Sequence, residues 1–149
     1  MTDPKISITN FTQFGLHQAR EQRRKEPKEE HFSAVWSFAH REKTGLSIDE
    51  IAFALKTICQ WIWRVDRPTF HCQRASLFES VIAAAWCGVA LRQWGAVTAT
   101  ELAAYAGLSY DSIVKSARDG KLCGQPQCLA PLSVRAFLES RGVNFDDPA

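Results

Sequence analysis

The chain has 149 residues, 46% of them apolar, and a formal net charge of +2, which suits one medium domain or two small ones and creates no global pull toward nucleic acid or an anionic membrane. The opening Met1-Thr2-Asp3-Pro4-Lys5 has no basic segment leading into an apolar run, and the uncharged stretch between Glu79 and Arg92 is too short to cross a bilayer, so neither an export signal nor a membrane span is expected. Five cysteines in such a chain read as free thiols of a reducing compartment, and a cytoplasmic protein is expected.

Residues 1–12 read as a loose lead-in. From Phe14 to Glu30 the chain is polar, with Arg20, Arg23, Arg24, Lys25 and Lys28 set among Glu21, Glu26, Glu29 and Glu30. Opposite charges three and four apart favour an exposed helix, interrupted near Pro27. A basic arm lying on phosphates is one reading of this stretch; the interleaved carboxylates favour a self-compensated, solvent-facing helix.

Between His31 and Arg41, Phe32, Val35, Trp36 and Ala39 share one helical face, and Thr44-Gly45 ends that helix. Ser47 with Glu50 makes a capping box for the next helix, in which Ile48, Ile51, Ala52, Leu55 and Ile58 mark the apolar face. With no internal turn glycine or second cap, it reads as one helix to about Val65, closed by Asp66-Arg67-Pro68. Residues 75–94 are apolar almost all round, as in a helix central to a core or buried between subunits. Ala83, Ala84, Ala85 and Gly88 allow neighbouring helices close approach. The expectation is a four-helix N-terminal unit over residues 1–95, serving dimerisation, with Trp36, Trp61, Trp63, Trp86 and Trp94 largely inside. Trp94-Gly95 runs into Val97 with almost no linker, so the C-terminal third should be docked on that unit.

Residues 97–122 read as two short helices around a glycine-led turn. Thr98 with Glu101 caps the first helix, and Leu102 and Ala106 fall on one face of it. Gly107 supplies the left-handed residue that ends it, Ser109 caps the second helix, and Gly120 closes that one. Cys123-Gly124-Gln125-Pro126-Gln127-Cys128 then suits a short hairpin, and Pro131-Leu132-Ser133 opens a last helix with Ser133 as its cap. Val134, Phe137 and Leu138 share its inner face until Gly142.

This order resembles the excisionase-type and MerR-type winged helix-turn-helix DNA-binding domains over roughly residues 97–142. The resemblance rests on T-A-T-E-L-A-A-Y-A-G-L-S-Y-D-S-I, R-D-G-K-L and L-S-V-R-A-F-L-E-S-R-G. It implies a small winged helix-turn-helix over 96–149, which with the bundle-like unit read from the residues over 1–95 makes a mainly α protein. It also implies that the helix starting at Tyr110 enters the DNA major groove.

Helical geometry then divides that helix. Ile113 and Ala117 should pack inward, and Tyr110, Asp111, Val114, Lys115 and Arg118 form the outward stripe. Lys115 and Arg118 can reach phosphates or guanine edges, and Asp111 can accept from a cytosine amino group. Ser109, Ser112 and the first amides of the helix can hold a phosphate, Thr98 and Thr100 can do so at the preceding helix, and Lys121 lies just past the stripe. Two features run the other way. The Cys123–Cys128 segment carries no charge, whereas wings of this kind usually grip phosphates with Arg or Lys. Residues 98–142 hold only five basic against four acidic side chains, so a dimer should bind better than a lone copy.

Enzyme chemistry finds little purchase. There is no Gly-rich phosphate loop, Ser/His/Asp order or H-E-x-x-H helix. Cys123 and Cys128 with His71-Cys72 lack the two closely spaced pairs of a structural zinc site, and a disulfide between Cys123 and Cys128 is disfavoured in a reducing compartment. Cys59 and Cys87 read as small core residues. The expectation is a non-enzymatic, cofactor-free and metal-free homodimer that reads double-stranded DNA and regulates transcription in a bacterium, plasmid or phage. Two alternatives stand beside it: an architectural factor in recombination or DNA packaging, and an adaptor or inhibitor that contacts a protein partner without binding DNA.

Overall fold

The computed structural model describes residues 4–21, 27–70 and 76–143. Arg23, Arg24, Lys25 and Glu26 of the charged stretch, and the His71-Cys72 pair, lie outside the described residues. The protein is mainly α-helical. Four helices come first: α1 (Pro4–Glu21), α2 (Glu29–Ala39), α3 (Ile48–Trp63) and α4 (Leu77–Arg92). Two short helices come next, α5 (Ala99–Ala106) and α6 (Tyr110–Arg118), then an antiparallel hairpin of β1 (Gly124–Gln125) and β2 (Cys128–Leu129), and α7 (Pro131–Glu139). Among the described residues no helix is long and apolar enough to cross a membrane.

The N-terminal segment departs from its expected looseness, because α1 begins at Pro4. Phe11 and Leu16 give it an apolar face buried against the other helices. Phe11 stacks on Phe78 with ring centroids 4.7 Å apart and meets Phe32 edge-on at 5.9 Å. Gly15 makes this approach tolerable, since a Cβ there would stand 2.2 Å from the Phe32 ring.

α4 is the centre of the molecule. Every residue from Val81 to Leu91 is buried within the single chain, so its all-round apolar surface is spent on the chain's own core. Gly88 is the point of closest approach: a Cβ would lie 2.7 Å from the Phe38 ring and 3.3 Å from that of Tyr105. Trp36, Trp61 and Trp86 are buried and Trp63 half-buried, but Trp94 is 58% exposed. Trp94 sits outside because the chain must reverse there. Its backbone is left-handed (φ 57°), and the next amide, Gly95, donates back to Ala90 O at 2.7 Å. The Arg135 guanidinium covers the indole at 4.1 Å and donates to Leu91 O at 3.0 Å.

The core does not stop at Gly95. Val97, Leu102, Tyr105, Ile113, Leu122, Leu129, Val134 and Leu138 belong to the same apolar cluster as the side chains of α1–α4. Arginines line this junction: Arg41 lies over the Tyr105 ring at 5.4 Å and Arg92 over Phe38 at 5.0 Å.

Candidate nucleic-acid interface

The α5–α6 pair is built by its caps. Thr98 Oγ1 accepts the Glu101 amide at 3.1 Å while Glu101 Oε1 accepts the Thr98 amide at 2.8 Å, the reciprocal box that starts α5. At the other end Gly107 takes φ 70°, and both its amide and that of Leu108 donate to Ala103 O. Only a residue without Cβ takes that backbone cheaply, which is why the turn is so tight. Ser109 then accepts the Ser112 amide at 3.1 Å and starts α6, and its hydroxyl meets that of Ser112 at 2.8 Å. Gly120, at φ 83°, lets the Lys121 amide fold back onto Ser116 O at 2.9 Å and end the pair.

The hairpin and α7 brace this pair from one side. Val97 and Leu129 exchange two backbone hydrogen bonds (3.3 and 2.7 Å), and the first amide of α5, Ala99, donates to Pro126 O at 2.7 Å. Ser133 is not the cap of α7. The helix begins two residues earlier, at Pro131 with Ala130 as its N-cap, because proline needs no amide partner in the first turn. Ser133 Oγ instead accepts the Cys123 amide at 3.0 Å and donates to Ala130 O at 2.9 Å, tying hairpin to helix.

On α6, Ile113 is fully buried. Asp111, Ser112, Lys115 and Arg118 lie exposed on its outer side, with Ser109 and Lys121 exposed beyond its ends. Tyr110 and Val114 depart from the expected outward stripe and are half-buried, with Tyr110 and Ala117 packed against the core. The reason is spacing: positions 110, 113, 114 and 117 form one apolar face at i, i+3, i+4 and i+7. The solvent-facing row is therefore narrower than expected, running through Asp111, Lys115 and Arg118. Among the described residues Lys115, Arg118 and Lys121 form no ion pair, whereas Arg135 and Arg141 lie over the Trp94 and Phe137 rings.

Thr98 and Thr100 stand apart from that row. They line a cleft of about 220 Å³ at the start of α5, together with Arg67, Pro68, Thr69, Phe70 and Glu101. Its organising contact is the Arg67–Glu101 pair. Glu101 is 5% exposed, and Arg67 donates from Nε to Glu101 Oε2 at 2.8 Å and from Nη2 to Oε1 at 2.5 Å. Nη2 also donates to Ala96 O at 3.0 Å, and the guanidinium lies over the Trp86 ring at 5.7 Å. Burial works against the arginine's charge, but the hydrogen bonds and charge of Glu101 outweigh it and hold the Arg67 pKa above its ordinary value. In the sequence Arg67 stands out only within the Asp66-Arg67-Pro68 helix stop. The capping role of Glu101 was legible from its spacing, but nothing local links it to an arginine 34 residues away.

Among the described residues no group of three or more His, Cys, Asp or Glu side chains gathers as a metal site would require. No protein-family model, curated protein or solved structure matches the chain.

Proposed function

We propose that the chain is a sequence-specific double-stranded DNA-binding protein in which α5 to α7 act as a winged helix-turn-helix and α6 enters the major groove. The observation that carries this reading is the division of α6. Its apolar face is consumed by the core, while Lys115 and Arg118, with Lys121 just beyond, stand on the outer side without ion-pair partners among the described residues. A rigidly seated helix with cations on its outer row and its first amides open beside Ser109 suits phosphate and base-edge contact. Transcriptional regulation in a bacterium, plasmid or phage is the role this reading favours.

A homodimer belongs to the same proposal, because three cations offset by Asp111 and Asp119 make a small electrostatic footprint for one copy. The pairing surface is not α4, which the monomer's own core uses on all sides. One observation favours the adaptor reading: the hairpin segment from Cys123 to Cys128, exposed over most of its length, includes no cation to grip a backbone.

Selection of bound fragments from a random duplex pool tests both levels. The expected result is an enriched palindrome with half-sites about one helical turn apart. Cooperative footprints that spread over adjacent sites would favour the architectural role, and no enrichment at all would favour the adaptor.

A further inference from the structure

The hairpin register puts two exposed cysteines on one face. Gln125 stands opposite Cys128 and Gly124 opposite Leu129. The Ala130 amide donates to Cys123 O at 2.8 Å, so Cys123 stands opposite Ala130. Alternation then directs Cys123, Gln125, Cys128 and Ala130 to one side and Leu129, which is fully buried, to the other. The two thiols are exposed diagonal neighbours. The two buried cysteines are chemically quiet by comparison: burial pushes the Cys59 thiol up to about 12 and that of Cys87 well above its ordinary range.

We propose that Cys123 and Cys128 are an oxidation site whose closure to a disulfide unseats the hairpin from the start of α5. The co-reactant is a two-electron oxidant of the peroxide class. One thiol attacks a peroxide oxygen, the O–O bond breaks, and a sulfenic acid and one water form. The second thiol attacks that sulfur, the S–S bond forms, and the sulfenic oxygen leaves as a second water. Two thiols are oxidised and one peroxide is reduced.

Geometry makes this closure consequential. Diagonal cross-strand neighbours stand about 7–8 Å apart, whereas a disulfide requires Cα atoms about 4.4–6.8 Å apart. The strands must therefore move. The two strands approach closely at Gly124, whose φ is 114° and where a Cβ would lie 2.3 Å from Cys128 O, so a shift of the Cys128 strand toward Cys123 disturbs the pairing there. The ladder gives way, and its outer contacts are the Val97–Leu129 exchange and the Ala99-to-Pro126 bond that hold the first turn of α5. An exposed, strained disulfide has an oxidising potential, so it forms under challenge and is readily reduced again, as transient disulfides in reducing compartments are. None of this depends on whether α6 binds DNA.

The test treats the full chain with hydrogen peroxide and reads intact mass, a peptide map and amide hydrogen exchange. The expected outcome is loss of two hydrogens, a Cys123–Cys128 link, and exchange at the Ala99 and Leu129 amides faster by about tenfold or more, reversed by dithiothreitol. Cys72→Ser should keep the link and the exchange change; Cys123→Ser and Cys128→Ser should each abolish both. A link from Cys72 to either hairpin thiol overturns the proposal, as does a Cys123–Cys128 link that leaves Ala99 exchange unchanged, or peroxide treatment that leaves both thiols free.

Discussion

Arg67 joins the loop after α3 to the first turn of α5 through a carboxylate that also caps that turn. Removing it strands a nearly buried charge, which costs more than the pair itself contributes. Because the Arg67 side chain is 35% exposed, water offsets part of that loss. Arg67→Ala should lower unfolding stability by about 2 kcal/mol in urea titrations. Glu101→Gln, which leaves the unpaired charge on the more exposed Arg67 and keeps an oxygen acceptor for it, should cost less, and the double variant should recover part of the Arg67→Ala loss.

His31 offers a pH-dependent counterpart at the start of α2, where its Nδ1 accepts the Lys28 amide at 3.2 Å. Burial, then the Lys28 charge, lowers its pKa below the ordinary histidine value of 6.5. The folded state therefore holds fewer protons on this ring than the unfolded state does. Its contribution is fully present above pH 6.5 and is lost as pH falls below that value toward the folded pKa. The urea midpoint should drop between neutral and mildly acidic pH, and His31→Gln, which keeps an acceptor but does not titrate, should flatten that drop.

At the scale of elements, α4 packs against α2 and α5 with no room for an added methyl at Gly88. Alanine in place of a mid-helix glycine ordinarily stabilises by up to about 1 kcal/mol. At Gly88 the added methyl would meet Phe38 and Tyr105 at 2.7 and 3.3 Å, so the sign should reverse. Gly88→Ala should destabilise by about 1–3 kcal/mol, measured by thermal or urea unfolding.

Most elements were legible because their signals are local. The three-residue spacing of Ser47/Glu50 and of Thr98/Glu101 marks where their helices start, and Gly107 marks the turn. The unbroken apolar run of α4 marked the centre of the core. The features that sequence reading lost were set by distant partners. The lead-in folded as α1 because Phe78 and Phe32 wait for Phe11. Trp94 stayed outside because a reversal and Arg135 hold it there. Tyr110, expected outward, sits on the inner face because it is spaced three and seven residues from Ile113 and Ala117. The candidate site was thus readable in its caps and cations, and unreadable in its Arg67–Glu101 support.

For the whole molecule, one continuous core joins α1–α4 to α5–α7, with Arg41, Arg67, Arg92 and Arg135 stacked on rings of Tyr105, Trp86, Phe38 and Trp94. Lys115 and Arg118 of α6, with Lys121 just past its turn, stay exposed beside that core. The most direct test of the DNA reading is duplex binding across a salt series for the wild type and the Lys115→Ala/Arg118→Ala variant, with folding checked by circular dichroism. The variant should bind more weakly, with a log–log salt slope shallower by about two, one for each lost phosphate contact. Equal affinity and an equal slope in the two proteins would contradict a DNA-reading α6.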